Sequence, residues 1–392
     1  MINLGYSGKK NDEKINEIIN YKREKLPSFL PKSKKGMLIH GDNFNAMISL
    51  LDNFEGKLDL IYIDPPFNTN GVFRYDENRV STISSTSKSL VAYQDNLPIN
   101  EYLEFIRERL ILIHKLLSDS GTLYFHIDVK IGHYVKIILD EIFGIDNYLN
   151  EITRVKSNPK NFSRKAYGNQ TDTIYVYTKK KGKQIFNDVR TPLNHDDIKR
   201  IFPKKDDKGY YNTVPCHAPG ETKNGATGKP WKGIMPPEGR HWRSSPKELD
   251  EMDQNGLIEW SSTGNPRIKK YASEHRGNKL QDLWLNYKDP QNPKYPTEKN
   301  NEMLNLIIKQ SSNSDSIIMD SFSGSGSFIK EGVKEKRFVI GIDQSDIAIK
   351  VTKNRNELNG IDIYSLEDNS YYLHRYENMV LDLSEDNSDL EQ

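Results

Sequence analysis

Cysteine is nearly missing: Cys216 is the only one in 392 residues. A lone cysteine excludes an internal disulfide and any cysteine-cluster zinc site. His217 beside it has no partner cluster, so no metal is expected. Long apolar runs are missing too. Nothing approaches the roughly 18 consecutive apolar residues of a membrane span. The start, Met1-Ile2-Asn3-Leu4-Gly5, turns polar without the apolar stretch of a secretory leader. These absences point to a cytoplasmic protein with no membrane partner. The chain has no internal repeat.

Net charge is nearly missing as well, at +1, but that balance is a sum of opposed segments. Residues 151–243 hold 20 Lys and Arg against 9 Asp and Glu, and residues 1–36 hold 9 against 4. The tail, 361–392, holds one Arg and nine acids. A basic middle stretch on a neutral chain suggests a local surface for a polyanion, with a solvated Lys-rich loop region as the plainer alternative. The acidic tail reads as a solvated, partly disordered end. What is plentiful is ordinary for a globular protein: 28% charged and 35% hydrophobic residues, enough for a core. The length suits one large domain with a smaller one inserted or appended.

Apolar periodicity divides the chain. In residues 37–180 strand and helix patterns alternate. Met37-Leu38-Ile39 and Leu58–Ile63 read as strands, the second running into Asp64-Pro65-Pro66. Residues 68–99, rich in Ser and Asn, read as a loop. Leu103, Ile106, Leu110, Ile113 and Leu117 step along one helix face; Gly121 ends it, and Thr122–Ile127 reads as a strand. Val135, Ile138, Leu139 and Ile142 mark another helix, and Ile174–Tyr177 a strand pairing with the segment near Ile152–Val155. From 181 to 292 Gly, Pro, Asn and Trp break the pattern. It resumes with a helix over 301–311, a strand at Ser316–Asp320, a glycine-rich turn, a short helix and a strand at Arg337–Asp343. The expected fold is α/β, a Rossmann-like doubly wound, mostly parallel sheet. It is built from 37–180 and 293–360, with an inserted loop-rich module at 181–292, a basic extension at 1–36 and the acidic tail at 361–392.

One motif follows a strand: Asp320-Ser321-Phe322-Ser323-Gly324-Ser325-Gly326. Glycines in such a turn let the backbone approach a ligand, and a helix starts just after. Asp343 ends the next strand 23 residues after Asp320, near the spacing of about 20 expected of a ribose-binding acid. A structural tight turn is the alternative, but the strand–turn–helix–strand–acid context favours a cofactor containing adenosine. No third glycine stands where a dinucleotide needs it, since Gly332 comes too late, so a cofactor without a pyrophosphate is expected.

The other motif is Asp64-Pro65-Pro66-Phe67. Two prolines fix the backbone and remove two donors while leaving their carbonyls as acceptors. The plain alternative is a turn closing a strand. A carboxylate, a fixed carbonyl and an aromatic face also suit an aromatic amine as methyl acceptor. Its lone pair is delocalised into the ring, and accepting its two N–H bonds at Asp64 and the Pro65 carbonyl favours a more tetrahedral nitrogen. Phe67 stacks on the base. Such catalysis is positioning and electrostatics, without metal. Both motifs sit at C-terminal strand ends, the edge where such sheets bind ligands.

These residues resemble the amino-methyltransferase family of DNA enzymes in the permuted order, catalytic motif first, closest to the modification subunits of type III restriction systems and their stand-alone relatives. The likeness covers roughly 36–358. Asp64-Pro65-Pro66-Phe67-Asn68-Thr69 matches the family's D-P-P-Y/F motif, where an initial Asp, not Ser, marks N6-adenine specificity. Gly41-Asp42-Asn43 matches its G-D-N segment, and Leu117–Gly121 and Asp140–Gly144 a helix–strand–helix stretch. Gly228–Gly233 and Pro236–Trp242 look like its target-recognition region. Tyr295-Pro296-Thr297-Glu298-Lys299 resembles its Y-P-T-Q-K-P motif beside the cofactor, with Glu298 and Asn300 replacing Gln and Pro. Ser321 and Ser327 replace the Pro and Thr of the usual D-P-F-C-G-S-G-T turn.

The resemblance implies a catalytic set of Asp64, Pro65, Pro66 and Phe67, and S-adenosyl-L-methionine held by Asp42, Thr297, Lys299, Asp320, Phe322, Ser323, Gly324, Ser325, Gly326 and Asp343. It implies double-stranded DNA as substrate, with the target base flipped out of the stack. Phe73, Arg74 and Tyr75 are candidates for touching DNA, and Arg154, Lys156, Lys160, Arg164 and Lys165 for phosphates. Lys232, Arg240, His241, Trp242 and Arg243 are candidates within the recognition module, where a Trp among Pro and Gly also reads as a small-module core residue. Asp128 and Asp172 read as structural. A homodimer and a restriction subunit are the protein partners considered. Rival readings are N4-cytosine or RNA-base methylation, methylation of protein glutamine amides, a nicotinamide-dependent dehydrogenase, and a non-enzymatic DNA-binding relative.

Overall fold

A computed structural model describes residues 3–66, 97–159, 165–291, 293 and 298–366 of the chain, and the backbone alone of 71–75 and 90–95. Phe67, Lys160, Arg164 and Thr297 lie outside the described residues, as do the side chains of Phe73, Arg74 and Tyr75 and the tail beyond 366. The chain forms two compact units, one running to Val189 and again from Gln281, the other Arg190–Leu280.

The first unit opens with α1 (Asp12–Arg23), whose N-terminal N–H groups are capped by Asn11. There follow β1 (Gly36–His40), α2 (Asn43–Phe54), β2 (Leu58–Ile63), β3 (Gly71–Tyr75), β4 (Leu90–Asp95), α3 (Ile99–Leu116), β5 (Leu117–Ile127), α4 (Val129–Phe143), β6 (Tyr148–Val155) and β7 (Thr171–Thr178). The second unit contains β8 (Arg190–Thr191), α5 (His195–Ile201), β9 (Lys204–Asp206), β10 (Gly209–Pro215), β11 (His217–Pro219), β12 (Arg240–Trp242), α6 (Pro246–Gln254), β13 (Ile258–Trp260), β14 (Pro266–Tyr271) and β15 (Asn278–Lys279). The first unit then resumes with β16 (Leu283–Trp284), α7 (Asn301–Ser311), β17 (Ile317–Asp320), α8 (Ser327–Lys334), β18 (Phe338–Asp343), α9 (Asp346–Lys353) and β19 (Asp362–Ser365).

Nine strands of the first unit form one sheet in the order β16-β6-β7-β5-β2-β17-β18-β1-β19. Its pairings are parallel except where β7 runs against β5 and β6. The central strands are buried almost continuously, as in β1 and β2, because helices cover both faces and leave no polar side to alternate with. This is a doubly wound α/β architecture. β2, β17 and β18 are neighbours with Asp320 opposite Tyr62 and Gly341, so the strand ends that carry both sequence motifs lie on one edge.

Four local readings change. Residues 68–99, expected as a loop, contain the antiparallel ladder of β3 and β4. β5 begins at Leu117, opposite Leu58, so Gly121 does not end a helix. A Cβ there would lie 2.6 Å from the Leu58 carbonyl oxygen, and close strand approach is what requires glycine. Residues 362–365, read as part of a solvated tail, pair with β1 and bury Tyr364. The basic extension packs on the main core: Ile15, Ile19 and Phe29 are buried with residues of β1 and α2. The compact inserted unit is also narrower than 181–292, since β16 returns to pair with β6.

The second unit has a four-stranded antiparallel sheet, β13-β14-β10-β9, and a paired β11 and β12. Its small core gathers Cys216, Trp231, Trp242, Leu249, Ile258 and Ile268.

Candidate active site

Asp64 follows β2, Asp320 ends β17 and Asp343 ends β18. All three line a single cavity of about 140 Å³ with Lys299, Ser321 and Ser323. Close backbone bonds shape its floor. The Asp320 carboxylate accepts the Phe322 N–H at 2.9 Å. Asp343 accepts the N–H groups of Gly324 at 2.7 Å and Ser345 at 2.9 Å. Gly324 and Gly326 have φ of 47° and 73°, left-handed values that favour glycine. A Cβ on Gly326 would also lie 2.6 Å from Thr352 Cγ2. The turn therefore closes tightly over α9 and opens α8.

Burial sets the electrostatics. It pushes Asp320 well above the usual carboxylate range, and the neighbouring Asp64 and Asp343 add to the effect. Asp343 is also raised by burial, despite its backbone donors. Asp64 is held differently: Lys299 pairs with its Oδ2, while its Oδ1 is buried without a hydrogen-bond partner among the described residues. The Tyr102 hydroxyl donates to the Pro66 carbonyl at 2.7 Å, which fixes the Asp-Pro-Pro backbone from α3.

The expected cofactor residues do not all meet. Phe322, Ser323, Gly324 and Ser325 line the cavity with Asp320 and Asp343, and Lys299 does so beside Asp64. Gly326 shapes the turn from behind. Asp42 does not line the cavity. It caps α2 by accepting the Asn45 N–H and pairs with Arg109 at 2.9 Å. Arg109 donates to Asn43 at 2.6 Å, and Asn43 to the Ser321 carbonyl at 2.8 Å. Asp42 thus supports the turn through two neighbours. Burial lowers the Arg109 pKa to about 10. Arg355 was missed in the sequence. It donates to the Ser325 carbonyl at 2.6 Å and to Glu298 at 2.9 Å, tying the turn to the segment that carries Lys299.

Two basic residues expected at phosphates are committed elsewhere. Arg154 is fully buried and grips Asp172 through two nitrogens, with a third bond to Asp289 at 2.8 Å. Lys156 pairs with Asp128 at 3.0 Å; Asp128 also caps α4. Their position in and just after β6, in a basic stretch, gave no sign of these acids. Lys165 is exposed. In the second unit Trp242 is a core residue, and Lys232 pairs with Asp253. Arg240 and Arg243 are exposed. Arg240 lies 3.2 Å from His217 Nδ1, and Arg243 donates to the Pro215 carbonyl at 3.1 Å. Burial, then Arg240, Arg243 and Arg267, lowers the His217 pKa, the mark of a locally positive field.

The cavity fits a cationic, adenosine-bearing group. The Ser321 and Ser323 hydroxyls are buried without hydrogen-bond partners among the described residues, and Asp320 carries a desolvation cost that a cation would offset. The family model described as DNA methylase matches residues 58–354. The chain is 38% identical over 367 residues to the type II methyltransferase M.EcaI of Enterobacter cloacae, covering 90% of this chain and 77% of that protein. It is 24% identical over 335 residues to the StyLTI Mod subunit, from a type III restriction-modification enzyme of Salmonella typhimurium, covering 75% of this chain and 49% of that one. Among solved structures, M1.HpyAVI in its SAM complex aligns with a TM-score of 0.42 at 18% identity, over 81% of this chain and 99% of that one. The chain belongs to the DNA methylase family that acts on N6 of adenine or N4 of cytosine, and its methyl donor is S-adenosyl-L-methionine.

Proposed function

We propose that this chain methylates N6 of an adenine flipped out of double-stranded DNA at a specific sequence, as the modification activity of a restriction system. The carrying observation is Asp64. Lys299 holds one carboxylate oxygen, and the other is buried and unbonded beside the cofactor cavity. Such an oxygen is ready to accept an amine N–H. The Pro66 carbonyl is occupied by Tyr102, which leaves the Pro65 carbonyl as the second acceptor. Together they draw the nitrogen toward a tetrahedral shape and aim its lone pair.

When bound, S-adenosylmethionine supplies a methyl group activated by sulfonium charge. Asp343 and the serine hydroxyls of the turn are the residues to hold its ribose and polar groups, and Asp320 answers its positive charge. Lys299 keeps Asp64 oriented. Phe67 is the stacking partner for the base. Flipping that base costs a few kcal/mol, which phosphate contacts from Arg74, Lys165, Arg240 and Arg243 help to offset. M.EcaI is named as a type II methyltransferase and StyLTI Mod as part of a restriction-modification enzyme; a restriction subunit and a second copy of this chain are the protein partners this reading expects.

The test is expression in a methylation-free bacterial host, with direct sequencing of modified bases and an Asp64→Ala variant alongside. N6-methyladenine at one short motif, lost in the variant, is expected. N4-methylcytosine would overturn the base assignment and keep the site. Neither mark, with the protein still binding S-adenosylmethionine, would overturn DNA modification by this chain alone.

A further inference from the structure

Behind Asp64 a line of buried polar groups runs away from the cavity. The His126 side chain, on β5, is wholly buried, with Nε2 2.9 Å from Asp172 Oδ2 on β7. Its Nδ1 lies 2.8 Å from the Tyr62 hydroxyl on β2 and 3.8 Å from Asp64 Oδ1. Asp172 is gripped by Arg154 of β6 at 2.9 Å and 2.8 Å. Tyr62 stacks on Phe328 and is itself buried, so its hydroxyl has little freedom except rotation.

Burying this many polar groups in a sheet core is costly unless each is satisfied. Among the described residues the Oδ1 of Asp64 has no hydrogen-bond partner, and the Nε2 of His126 meets Asp172 Oδ2 by proximity, at 2.9 Å. Asp172 can only accept, so it fixes the imidazole proton on Nε2 and leaves Nδ1 as the acceptor for Tyr62. Burial works against the Asp172 charge, but His126 and Arg154 outweigh it and hold the carboxyl far below its usual range. A permanent anion therefore stands behind the ring, ready to stabilise an imidazolium.

We propose that His126 receives, through Asp64, the proton that the amine sheds on methylation. This rests on the reading of Asp64 as the amine contact. As the nitrogen bonds the methyl carbon, the carbon–sulfur bond breaks and sulfur keeps the electron pair. The nitrogen then carries a positive charge and one proton too many. Asp64 Oδ1 takes that proton, giving a neutral methylated amine and a carboxylic acid. A small turn of the carboxyl closes the 3.8 Å gap, and the proton passes to Nδ1 while the Tyr62 hydroxyl turns from donor to acceptor. The imidazolium sits against Asp172 and returns the proton to solvent after product leaves.

Among the described residues, the charged and titratable groups facing His126 include Tyr62 and Asp64 from β2 and its end, Asp172 from β7 and, through these, Lys299, Arg154 and Asp320. Single-turnover methylation of a duplex bearing the target site should be followed from roughly pH 5 to 9. The wild type should show one ionisation whose unprotonated form is active. His126→Gln should lose roughly 10²-fold at the plateau and lose that ionisation. Asp172→Asn should move it to lower pH, since the imidazolium loses its anion, and Tyr62→Phe should move it less. S-adenosylmethionine binding should hold in His126→Gln, while Asp172→Asn should also lower the melting temperature, because Arg154 loses a buried partner. Loss of rate by one factor at every pH, with the ionisation kept, would mean packing alone and overturn the proposal.

Nitrogen-15 NMR of the histidine rings decides the matter even where His126→Gln fails to fold. The wild-type ring should be protonated at Nε2, and its titration should shift in Asp64→Asn. A titration indifferent to Asp64 overturns the relay. If no preparation methylates any DNA amine, the reading of Asp64 fails, while the same NMR coupling still decides whether the two groups share a proton.

Discussion

The two compact units hold their charges in opposite ways. At the sheet edge of the first, Asp320, Arg109, Asp172 and Arg154 are buried and Asp343 is half-buried, all joined by short hydrogen bonds to neighbours that are themselves bonded. In the second, Lys232, Arg240 and Arg243 lie on the surface, and pairs such as Lys204–Glu259 are half open to solvent. Exposed pairs of this kind are worth about 0–1 kcal/mol each. Breaking a buried pair costs several times more, because the partner is left uncompensated. The comparison separates a region built to fix a few atoms for chemistry from one whose charges remain available to an outside polyanion. Changes in the first should be large and coupled, and in the second small and additive.

The largest effect is expected at Asp64. Asp64→Ala should cut methyl transfer by roughly 10³-fold and lower the melting temperature, since the buried Lys299–Asp64 ion pair is lost. Retention of a tenth of the rate would place the chemistry elsewhere. Asp320→Asn should follow, weakening S-adenosylmethionine binding by roughly 30-fold, or about 2 kcal/mol. The same change should stabilise the ligand-free protein at neutral pH. Burial raises the Asp320 pKa, so the folded wild type loses stability as pH rises from the unfolded value through the folded one. Asparagine keeps the acceptor for the Phe322 N–H and carries no charge. Melting curves across pH should show the variant ahead at neutral pH and level with wild type in acid. An equal gap at every pH would sink the burial argument. Gly326→Ala comes next. Its left-handed φ and the Thr352 contact should cost about 1–3 kcal/mol, read by denaturant titration.

The contrast also explains what could be read from the amino-acid order. Asp64-Pro65-Pro66 and Asp320–Gly326 were legible because each is a contiguous strand end, and the edge that gathers strand ends is a property of the fold class. Asp343 was legible for the same reason. Asp42 was misplaced because its neighbours, Arg109 and Asn45, decide where it points. Arg154 and Lys156 were misread as phosphate contacts because charge counting cannot see that Asp172, Asp289 and Asp128 come from other elements. His126 did leave a trace: a histidine inside the apolar run Thr122–Ile127 breaks its strand pattern, as Asp172 does in β7. The last strand, at 362–365, was hidden by the acids around it.

Arg240 and Arg243 offer the smallest effects and the sharpest test of additivity. Each makes at most one or two surface bonds, to His217 and to the Pro215 carbonyl, so alanine at either should leave the melting temperature within about one degree. If they meet phosphates, each substitution should weaken DNA binding about three-fold at moderate salt and reduce the slope of log affinity against log salt by about 1. The double variant should lose the product of the two factors, and target and non-target duplexes should suffer alike. The neighbouring His217 supplies an internal check. Its pKa is lowered by burial and then by these arginines, so an anion docked among them must raise it, and binding must take up a proton and strengthen as pH falls through the histidine range. Loss confined to the target sequence, with an unchanged salt slope, would instead make the arginines readers of base edges, and the second unit would then hold its charges for recognition and not for attraction alone.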